Sequence, residues 1–165
     1  MAAPVPAYAP APEITVGFPF TAERDALKIV SDAIDGAESS IVMTAYSFTS
    51  KPTTAALVYA KNCSVTVQLS ANEKASSDRY TAVTFLAGLG VTVRLNSRYA
   101  IMKNKSMVND DNTLKRNSFN YTSSAEKRNA GNALVIRDNS IMSKKYQNEF
   151  NRLWAESSPV QCNYS

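Results

Sequence analysis

The sequence predicts one domain of the layered α/β class. Segments with helical and strand-like patterns alternate along the 165 residues, as they do in folds whose helices pack on a β-sheet. This length suits a single hydrophobic core, and the hydrophobic content of 44% is ordinary for a globular domain. We expect the domain to cover residues 14–157, between an Ala/Pro-rich N-terminal arm (1–13) and a C-terminal tail (158–165).

The first half of the chain is predicted to alternate helices with strands. Leu27, Val30 and Ile34 recur at helical spacing, which indicates an amphipathic helix with Gly36 near its end. The β-branched and aromatic residues that follow are typical of a buried strand, and Pro52 stands where a second helix can begin. The predicted elements are helix Ala22–Ala37, strand Ser40–Phe48, a helix from Ser50, strand Ser64–Leu69, loop Ala71–Arg79, helix Thr81–Ala87 and strand Val91–Leu95.

The second half is predicted to contain a β-hairpin, a further strand and two helices. Turn-forming residues separate two strand-like runs, and a serine three residues before a glutamate has the spacing of a capping box. A stripe of aromatic and aliphatic residues then predicts a C-terminal helix. In order, these elements are strands Lys105–Asn109 and Thr113–Arg116 around the turn Asp110–Asn112, a short helix from Ser123 with Glu126, strand Asn132–Arg137, and a helix with the stripe Met142, Tyr146, Phe150 and Leu153 that ends near Trp154.

Positive charge is concentrated in one segment. The net charge is +4, yet residues 94–128 alone contain eight Lys or Arg against three Asp or Glu. A basic segment on a near-neutral body favours a phosphate-bearing or polyanionic partner. A solubilising surface would give the same composition, so both interpretations stay open. No run approaches the roughly 18 apolar residues of a membrane helix, and we expect no membrane insertion.

The most informative stretch lies within this basic segment. Lys103 and Lys105 are separated by one residue, Asp110 follows five positions later, and Asn117-Ser118-Phe119-Asn120 comes downstream. This layout resembles the signature of the phospholipase D superfamily, His-x-Lys, four residues and Asp, then Gly-Ser-x-Asn, in particular that of its small secreted bacterial endonucleases of the Nuc type. The resemblance implies an α/β/α fold with a mixed central sheet. It also implies a homodimer, since this chain carries the motif once.

The resemblance further implies a mechanism without metal or cofactor, from which this sequence departs at three positions. Members of the family form a covalent phosphohistidine and protonate the leaving group with the second subunit's histidine. Here Lys103 replaces the nucleophilic histidine, and the chain contains no histidine. A lysine amine with its ordinary pKa of about 10.4 is a cation at neutral pH and has no lone pair for attack. Asn117 replaces the motif glycine, and Gly131 stands where the similar endonucleases have a glutamate beside the site.

The remaining motif residues predict a phosphate-binding site. If residues 103–105 belong to a strand, its alternation directs both lysine side chains to one face. Together with a hydroxyl and an amide, the two lysines supply donors suited to a phosphate group. The predicted phosphate ligands are Lys103, Lys105, Ser118 and Asn120, and the residues expected to contact nucleic acid or a partner are Arg98, Tyr99, Lys115, Arg116 and Tyr121.

Three functions are compatible with these residues. The first, favoured by the missing histidine, is a catalytically inactive nuclease fold that retains a groove for phosphate or nucleic acid. The second is an active, metal-independent phosphodiesterase that uses Lys103 or another nucleophile. The third is a protein-binding module, natural or engineered, whose surface comprises Ala71–Arg79, Arg98–Lys103 and Lys115–Asn117, since tyrosine and arginine also dominate protein-binding surfaces.

The cysteines and the N-terminal arm bear on cellular location. Cys63 and Cys162 allow one disulfide or two free thiols, and their spacing does not decide between these states. Two cysteines without histidine do not make a structural zinc site, so we expect no metal. The arm has the composition of an exported protein after removal of a signal peptide, and the similar endonucleases are secreted, so we expect a periplasmic or secreted location. A plain proline-rich arm is the alternative.

Overall fold

An eight-stranded mixed β-sheet with helices on both faces organises the protein, as seen in a computed structural model that describes residues 14–76, 82–116 and 118–160. This arrangement confirms the predicted layered α/β class. The strands are β1 (Ile14–Gly17), β2 (Ser40–Ala45), β3 (Thr66–Asn72), β4 (Thr92–Asn96), β5 (Ser106–Asn109), β6 (Thr113–Arg116), β7 (Ala133–Ile136) and β8 (Ser158–Pro159). The helices are α1 (Ala26–Asp35), α2 (Lys51–Asn62), α3 (Val83–Gly88), α4 (Ser123–Lys127) and α5 (Ser140–Ala155), with a 3₁₀ turn at Lys74–Ser76.

The strand order is β1-β7-β6-β5-β2-β3-β4-β8. The pairs β2–β3 and β3–β4 are parallel, and the remaining neighbours are antiparallel. Ile41 and Met43 of β2 belong to the hydrophobic cluster under α1, α2 and α3, whereas Val42 packs with Phe150 of α5. This division follows from the strand pleat, which sends successive side chains to opposite faces.

Helix α1 begins four residues later than the sequence predicts. Arg24 has a φ of 46°, a left-handed conformation that does not continue into a helix. The side chain of Asp25 accepts a hydrogen bond from the amide of Phe18 at 3.0 Å, which fixes the chain before the helix. The helix therefore starts at Ala26 rather than Ala22.

The boundaries of β2 and β3 also differ from the predicted ones. β2 ends at Ala45, and Phe48 forms only an isolated parallel bridge with Tyr121. β3 begins after Ser64, whose φ of 70° belongs to the turn that follows α2. It runs on to Asn72, into the stretch predicted as a loop, because its end pairs with β4 up to Asn96. Residues 77–81, which carry the rest of that loop and the predicted start of the next helix, lie outside the described residues.

The short helix α4 has a different cap from the predicted one. The hydroxyl of Thr122, rather than Ser123, accepts a hydrogen bond from the amide of Ala125 at 3.0 Å. Glu126 does not fold back onto its own helix; its carboxylate accepts a hydrogen bond from the hydroxyl of Ser50. Since Ser50 caps α2, this contact joins the ends of two helices.

The two edge strands of the sheet, β1 and β8, were not predicted from the sequence. β1 pairs with β7. Its apolar and polar residues alternate, but the strand has only four residues, too few for a strong signal, and its apolar side chains Ile14 and Val16 face solvent. Ser158 and Pro159, which the sequence assigns to the tail, pair with Leu95 and Arg94 of β4. A proline is tolerated there because an edge strand has one side without a pairing partner.

The described residues include one of the two cysteines. Cys63 is exposed just after α2, whereas Cys162 and residues 1–13 lie outside the described residues. The disulfide and the exported location therefore stay predictions. In the part of the chain that the structure describes, none of the helices has the length and hydropathy of a membrane span.

The predicted hairpin is confirmed, and its turn fastens the sheet. Asp110 and Asp111 have φ values of 54° and 60°, the pair of left-handed conformations typical of a tight hairpin turn. The Asp110 carboxylate accepts hydrogen bonds from the amides of Glu38, Ser39 and Ser40 at 2.9, 2.8 and 3.0 Å. Burial raises the pKa of this carboxyl, but the hydrogen bonds outweigh burial and hold its pKa below the usual value. The turn is thereby tied to the start of β2.

We predict that Asp110→Asn lowers the free energy of unfolding by about 1–3 kcal/mol, because an amide replaces an acceptor that faces three N–H donors. A carboxyl with a lowered pKa stabilises the fold above its unfolded pKa and loses this effect as pH falls through the folded value. Urea unfolding at neutral pH measures the change in the free energy of unfolding, and urea unfolding at acidic pH measures how much of this stabilisation is lost. Asp111→Asn is the control, since it shares the backbone conformation and is not part of this network. Equal stabilities of the two variants would contradict the assignment.

Candidate functional site

Two runs of the motif meet where β2 ends and β5 begins. β5 is antiparallel to β2, so Ser106 at its start pairs with Thr44 near the end of β2. Their hydroxyl oxygens are 2.7 Å apart. Residues 103–105 immediately precede β5, and residues 118–120 follow β6. Because β5 and β6 form a hairpin, both runs emerge at the same end of the sheet.

A cavity of about 420 Å³ has side chains of both runs in its wall. Three of its lining residues are cationic: Lys103, Lys105 and Arg116. No carboxylate occurs among the lining residues in the described part of the chain. The wall also contains Asn104, Ser106, Ser118 and Tyr146. The cavity is thus a positively charged opening suited to an anion.

Lys103 and Lys105 share this cavity although they do not lie on a strand. Residues 103–105 have no regular secondary structure, so the predicted alternation does not apply. The Lys105 ammonium instead donates a hydrogen bond to the carbonyl of Lys103 at 3.3 Å. Burial and then the charge of Lys103 lower the pKa of Lys105. An anion bound between the two lysines relieves this repulsion.

Among the described residues, the Ser118 hydroxyl accepts hydrogen bonds but donates none. Its Oγ accepts hydrogen bonds from the amide and the side-chain nitrogen of Asn132, at 3.1 and 3.4 Å. These bonds occupy lone pairs, so the hydroxyl hydrogen remains available to an acceptor in the cavity. Gly131 lies directly beside it, because a Cβ at this position would be 3.3 Å from Ser118 Oγ. A glutamate in place of Gly131 would start next to the same hydroxyl.

The other predicted phosphate ligand and two further motif residues are placed differently. Asn120 is half-buried, and its side-chain oxygen is enclosed without a hydrogen-bond partner among the described residues. It is not part of the cavity wall. Asn117 lies outside the described residues. Asp110 is separated from Lys105 by the length of β5, about 13 Å for four residues, and belongs to the opposite end of the sheet.

Lys115 and Tyr121, expected as contacts to a ligand, are instead buried. Their relative exposures are 0% and 1%, so, contrary to the expectation, neither side chain is placed to touch nucleic acid or a partner. Tyr121 stacks on Phe48 with ring centroids 5.6 Å apart. Burial raises the pKa of its hydroxyl, which has no hydrogen-bond partner in the described structure. The presence of a basic or aromatic residue next to a motif does not indicate whether its side chain faces the core or the solvent.

The buried ammonium of Lys115 is satisfied by carbonyl groups and an aromatic ring. It donates hydrogen bonds to the carbonyls of Phe119 and Lys105, at 2.8 and 3.3 Å. Its Nζ lies 4.2 Å from the centroid of the Tyr121 ring. Burial, and then the charge of Lys105, lowers the pKa of Lys115 to about 7. None of the ion pairs in the described residues includes Lys115.

Arg98 and Tyr99 follow β4 at the same end of the sheet but bond to α5. The Tyr99 hydroxyl donates to Glu156 at 3.0 Å and accepts from Arg152 at 2.7 Å. Arg98 lies 3.6 Å from the same glutamate. Neither residue is part of the cavity wall, so they lie beside the site rather than in it.

Sequence reasoning missed three residues of the cavity wall: Asn104, Ser106 and, from α5, Tyr146. The helical spacing of Tyr146 with Phe150 predicts a core position, and it does pack against the cluster around Phe150. It is only half-buried, however, and it lines the cavity with Lys103 and Lys105. The available signal was its hydroxyl, since a tyrosine at the border of an apolar stripe tends to keep one end in water.

We predict that Lys115→Met raises the free energy of unfolding at pH 7 by about 2–4 kcal/mol, because it removes a charge whose burial is unfavourable. The folded pKa of about 7 is below the unfolded one, so the unfolded chain binds more protons above pH 7. Stability therefore rises with pH between about 7 and 10.

Lys115→Met should lose most of this rise of stability with pH. A smaller rise should remain, because the pKa of Lys105 is lowered as well. Urea unfolding at several pH values measures the slope, with the exposed Lys144→Met as the control. A wild-type slope in Lys115→Met would contradict the assignment.

The chain matches a family model and several known proteins. The model described as "Cardiolipin synthase, PLD-like domain" matches residues 30–154. The phospholipase D of Rickettsia conorii is 30% identical over 133 residues, which cover 81% of this chain and 66% of that protein. The mitochondrial cardiolipin hydrolase of Xenopus laevis is 29% identical over 129 residues, 78% of this chain and 61% of that protein. The chain thus spans slightly less than two thirds of these curated relatives.

Solved structures extend the comparison over the whole fold. Nuc from Salmonella typhimurium, a phospholipase D family member, superposes with a TM-score of 0.87 at 31% identity, covering 92% of this chain and 99% of that one. NucT from Helicobacter pylori gives a TM-score of 0.76 at 20% identity, covering 90% and 100%, which is a likeness of fold. The sheet order, the motif runs at one end of the sheet and these matches lead to one conclusion: the chain belongs to the phospholipase D superfamily and has the fold of its Nuc-type nucleases.

Proposed function

We propose that the protein binds nucleic acid through its phosphate groups at the cavity of Lys103, Lys105, Arg116 and Ser118, and that it does not hydrolyse phosphodiesters. The observation that supports this proposal is the lining of the cavity. Three cations and a hydroxyl donor surround it, while the chain has no imidazole to act as nucleophile or acid. The site therefore has the groups that hold a phosphate and lacks those that the family uses to cleave one.

The cavity wall favours nucleic acid among phosphate-bearing ligands. Lysine and arginine hold a phosphate backbone, and an aromatic ring beside them stacks a base of single-stranded nucleic acid. Tyr146 supplies such a ring next to the three cations. The names of the curated relatives, phospholipase D and cardiolipin hydrolase, make lipid phosphodiesters the competing ligand.

Loss of hydrolysis follows from the groups beside Lys103. A solvated lysine ammonium has no lone pair, whereas an imidazole both attacks phosphorus and returns a proton near pH 7. Lys103 is exposed, and the neighbouring Lys105 adds a second positive charge. At Gly131 the chain also lacks the glutamate that the similar endonucleases carry, so a histidine placed at 103 has no carboxylate there to orient it.

We predict salt-dependent binding of a fluorescent oligothymidylate, measured by anisotropy. If three phosphates are neutralised, affinity falls about twentyfold between 50 and 200 mM salt. Lys103→Ala and Lys105→Ala should each weaken binding and reduce the salt slope by about 0.7. Lys144→Ala is the control, because Lys144 lines a separate cavity with Asp111 at the opposite end of the sheet.

Two results would contradict this proposal. One is affinity that does not respond to salt. The other is binding to vesicles of an anionic phospholipid without any binding to the oligonucleotide, which would assign the site to lipid.

We also predict that the purified protein does not cleave plasmid DNA or a model phosphodiester in EDTA. Lys103→His alone should restore little activity, and Lys103→His combined with Gly131→Glu should restore more, because the carboxylate returns beside the ring. Metal-free cleavage by the wild type that disappears in Lys105→Ala would overturn the inactive assignment. So would a phosphoryl adduct on Lys103.

The homodimer implied by the family remains a proposal for this chain. Two copies would bring two cavities together and lengthen the surface available to a strand. Light scattering of the ligand-free protein measures the mass directly, and a monomer would remove this part of the proposal.

A further inference from the structure

Lys115 contacts both halves of the proposed binding site from inside the protein. Its ammonium donates hydrogen bonds to the carbonyl of Lys105 in the run before β5 and to the carbonyl of Phe119 in the run after β6. Phe119 lies between Ser118, which lines the cavity, and Asn120. In the described structure, no hydrogen bond joins residues 103–105 directly to residues 118–120. The ammonium is therefore the polar link between them.

We propose that Lys115 is a positioning residue of the site: its ammonium ties run 103–105 to run 118–120 and so sets the separation between the Lys105 ammonium and the Ser118 hydroxyl. The identity of the ligand in this inference rests on the proposed function. The tie itself is a property of the ligand-free protein and is tested without ligand. Lys115 is 0% exposed, so it does not touch the ligand.

The protonated form is the one suited to this role. An ammonium has three N–H donors, and here two carbonyls and the face of the Tyr121 ring receive them. Hydrogen bonds from a charged donor are about twice as strong as those from a neutral one. Loss of the proton therefore loosens both bonds at once, and the two runs are held less firmly.

Ligand and proton should bind cooperatively. The titratable groups that face Lys115 are Lys105, from the run before β5, and Tyr121, from the segment after β6. The charge of Lys105 opposes protonation of Lys115, and a phosphate bound at Lys105 offsets that charge. By linkage, protonation of Lys115 then favours the phosphate to the same degree. Affinity for a phosphodiester should fall as pH rises through about 7.

The first experiment uses the ligand-free protein and needs no binding partner. The carbonyls of Lys105 and Phe119 belong to the peptide groups whose amides are those of Ser106 and Asn120. In a two-dimensional NMR titration, both amide signals should move together with a midpoint near pH 7. The transition should be absent in Lys115→Met and retained in Lys144→Met. Two amides that do not respond to pH, or a transition that persists in Lys115→Met, would overturn the positioning role.

The second experiment measures oligothymidylate affinity between about pH 6 and pH 9, a range in which the phosphodiester backbone does not titrate. Lys115→Met should bind about tenfold more weakly than wild type at pH 6 and lose the fall in affinity near pH 7, keeping only the pH dependence that Lys105 contributes. Its salt slope should equal that of wild type, because a buried amine releases no counterions, unlike Lys105→Ala. Wild-type affinity and pH profile in Lys115→Met would overturn the inference.

The two experiments separate the two proposals. If the wild type binds no oligonucleotide, the proposed function fails, and the NMR titration alone decides whether Lys115 ties the runs together. The variant also carries a signature that general misfolding does not produce. A merely damaged protein is less stable, whereas Lys115→Met should be more stable and yet bind more weakly.

Discussion

The pairing of β5 with β2 on one side and β6 on the other is the constraint on which the site depends. Each strand of the β5–β6 hairpin has four residues, so the run before β5 and the run after β6 are forced to leave the sheet at one end. The register with β2 then fixes how far those runs project past Thr44. A shift of one residue would turn every side chain of β5 to the other face. Backbone hydrogen bonds between the strands thus bring distant motif residues to one end of the sheet.

Positive charge without a balancing carboxylate gives this site its chemical character. Lys103, Lys105 and Arg116 surround the opening, and a fourth cation, Lys115, lies beneath it. Burial, and then the like charge of a neighbouring lysine, lowers the pKa values of Lys105 and Lys115. If a phosphate binds here, as we propose, its negative charge would offset this repulsion between the lysines and so contribute to affinity.

Much of the fold was accessible from the sequence because its central elements carry strong local patterns. The stripe of α5, the turn-forming aspartates of the hairpin and the buried run of β2 each appear where expected. The edge strands did not, because β1 has only four residues with its apolar side chains in solvent and β8 consists of two residues paired with β4. Such elements exist through tertiary pairing, which a local pattern does not encode.

The sequence predicted several residues of the site, but not the directions and burial of their side chains. The motif spacing identified Lys103, Lys105 and Ser118, which do share a cavity. It did not reveal that Lys115 and Tyr121 point inward or that Tyr146 reaches the cavity from α5. Burial of a lysine depends on which strand face meets the core, and the contribution of a helix to a cavity depends on how that helix crosses the sheet. Neither the strand face nor the helix crossing can be inferred from the adjacent residues in the sequence.

The hydrogen bonds of Asp110 have a consequence for how such motifs are interpreted. Its carboxylate holds the amides of Glu38, Ser39 and Ser40 where the chain enters β2, at the end of the sheet opposite the opening. These contacts favour an aspartate at this position for structural reasons that do not depend on the chemistry at the opening. The aspartate of the signature therefore indicates family membership and contributes to stability. Only the residues around the opening bear on the chemistry of the site.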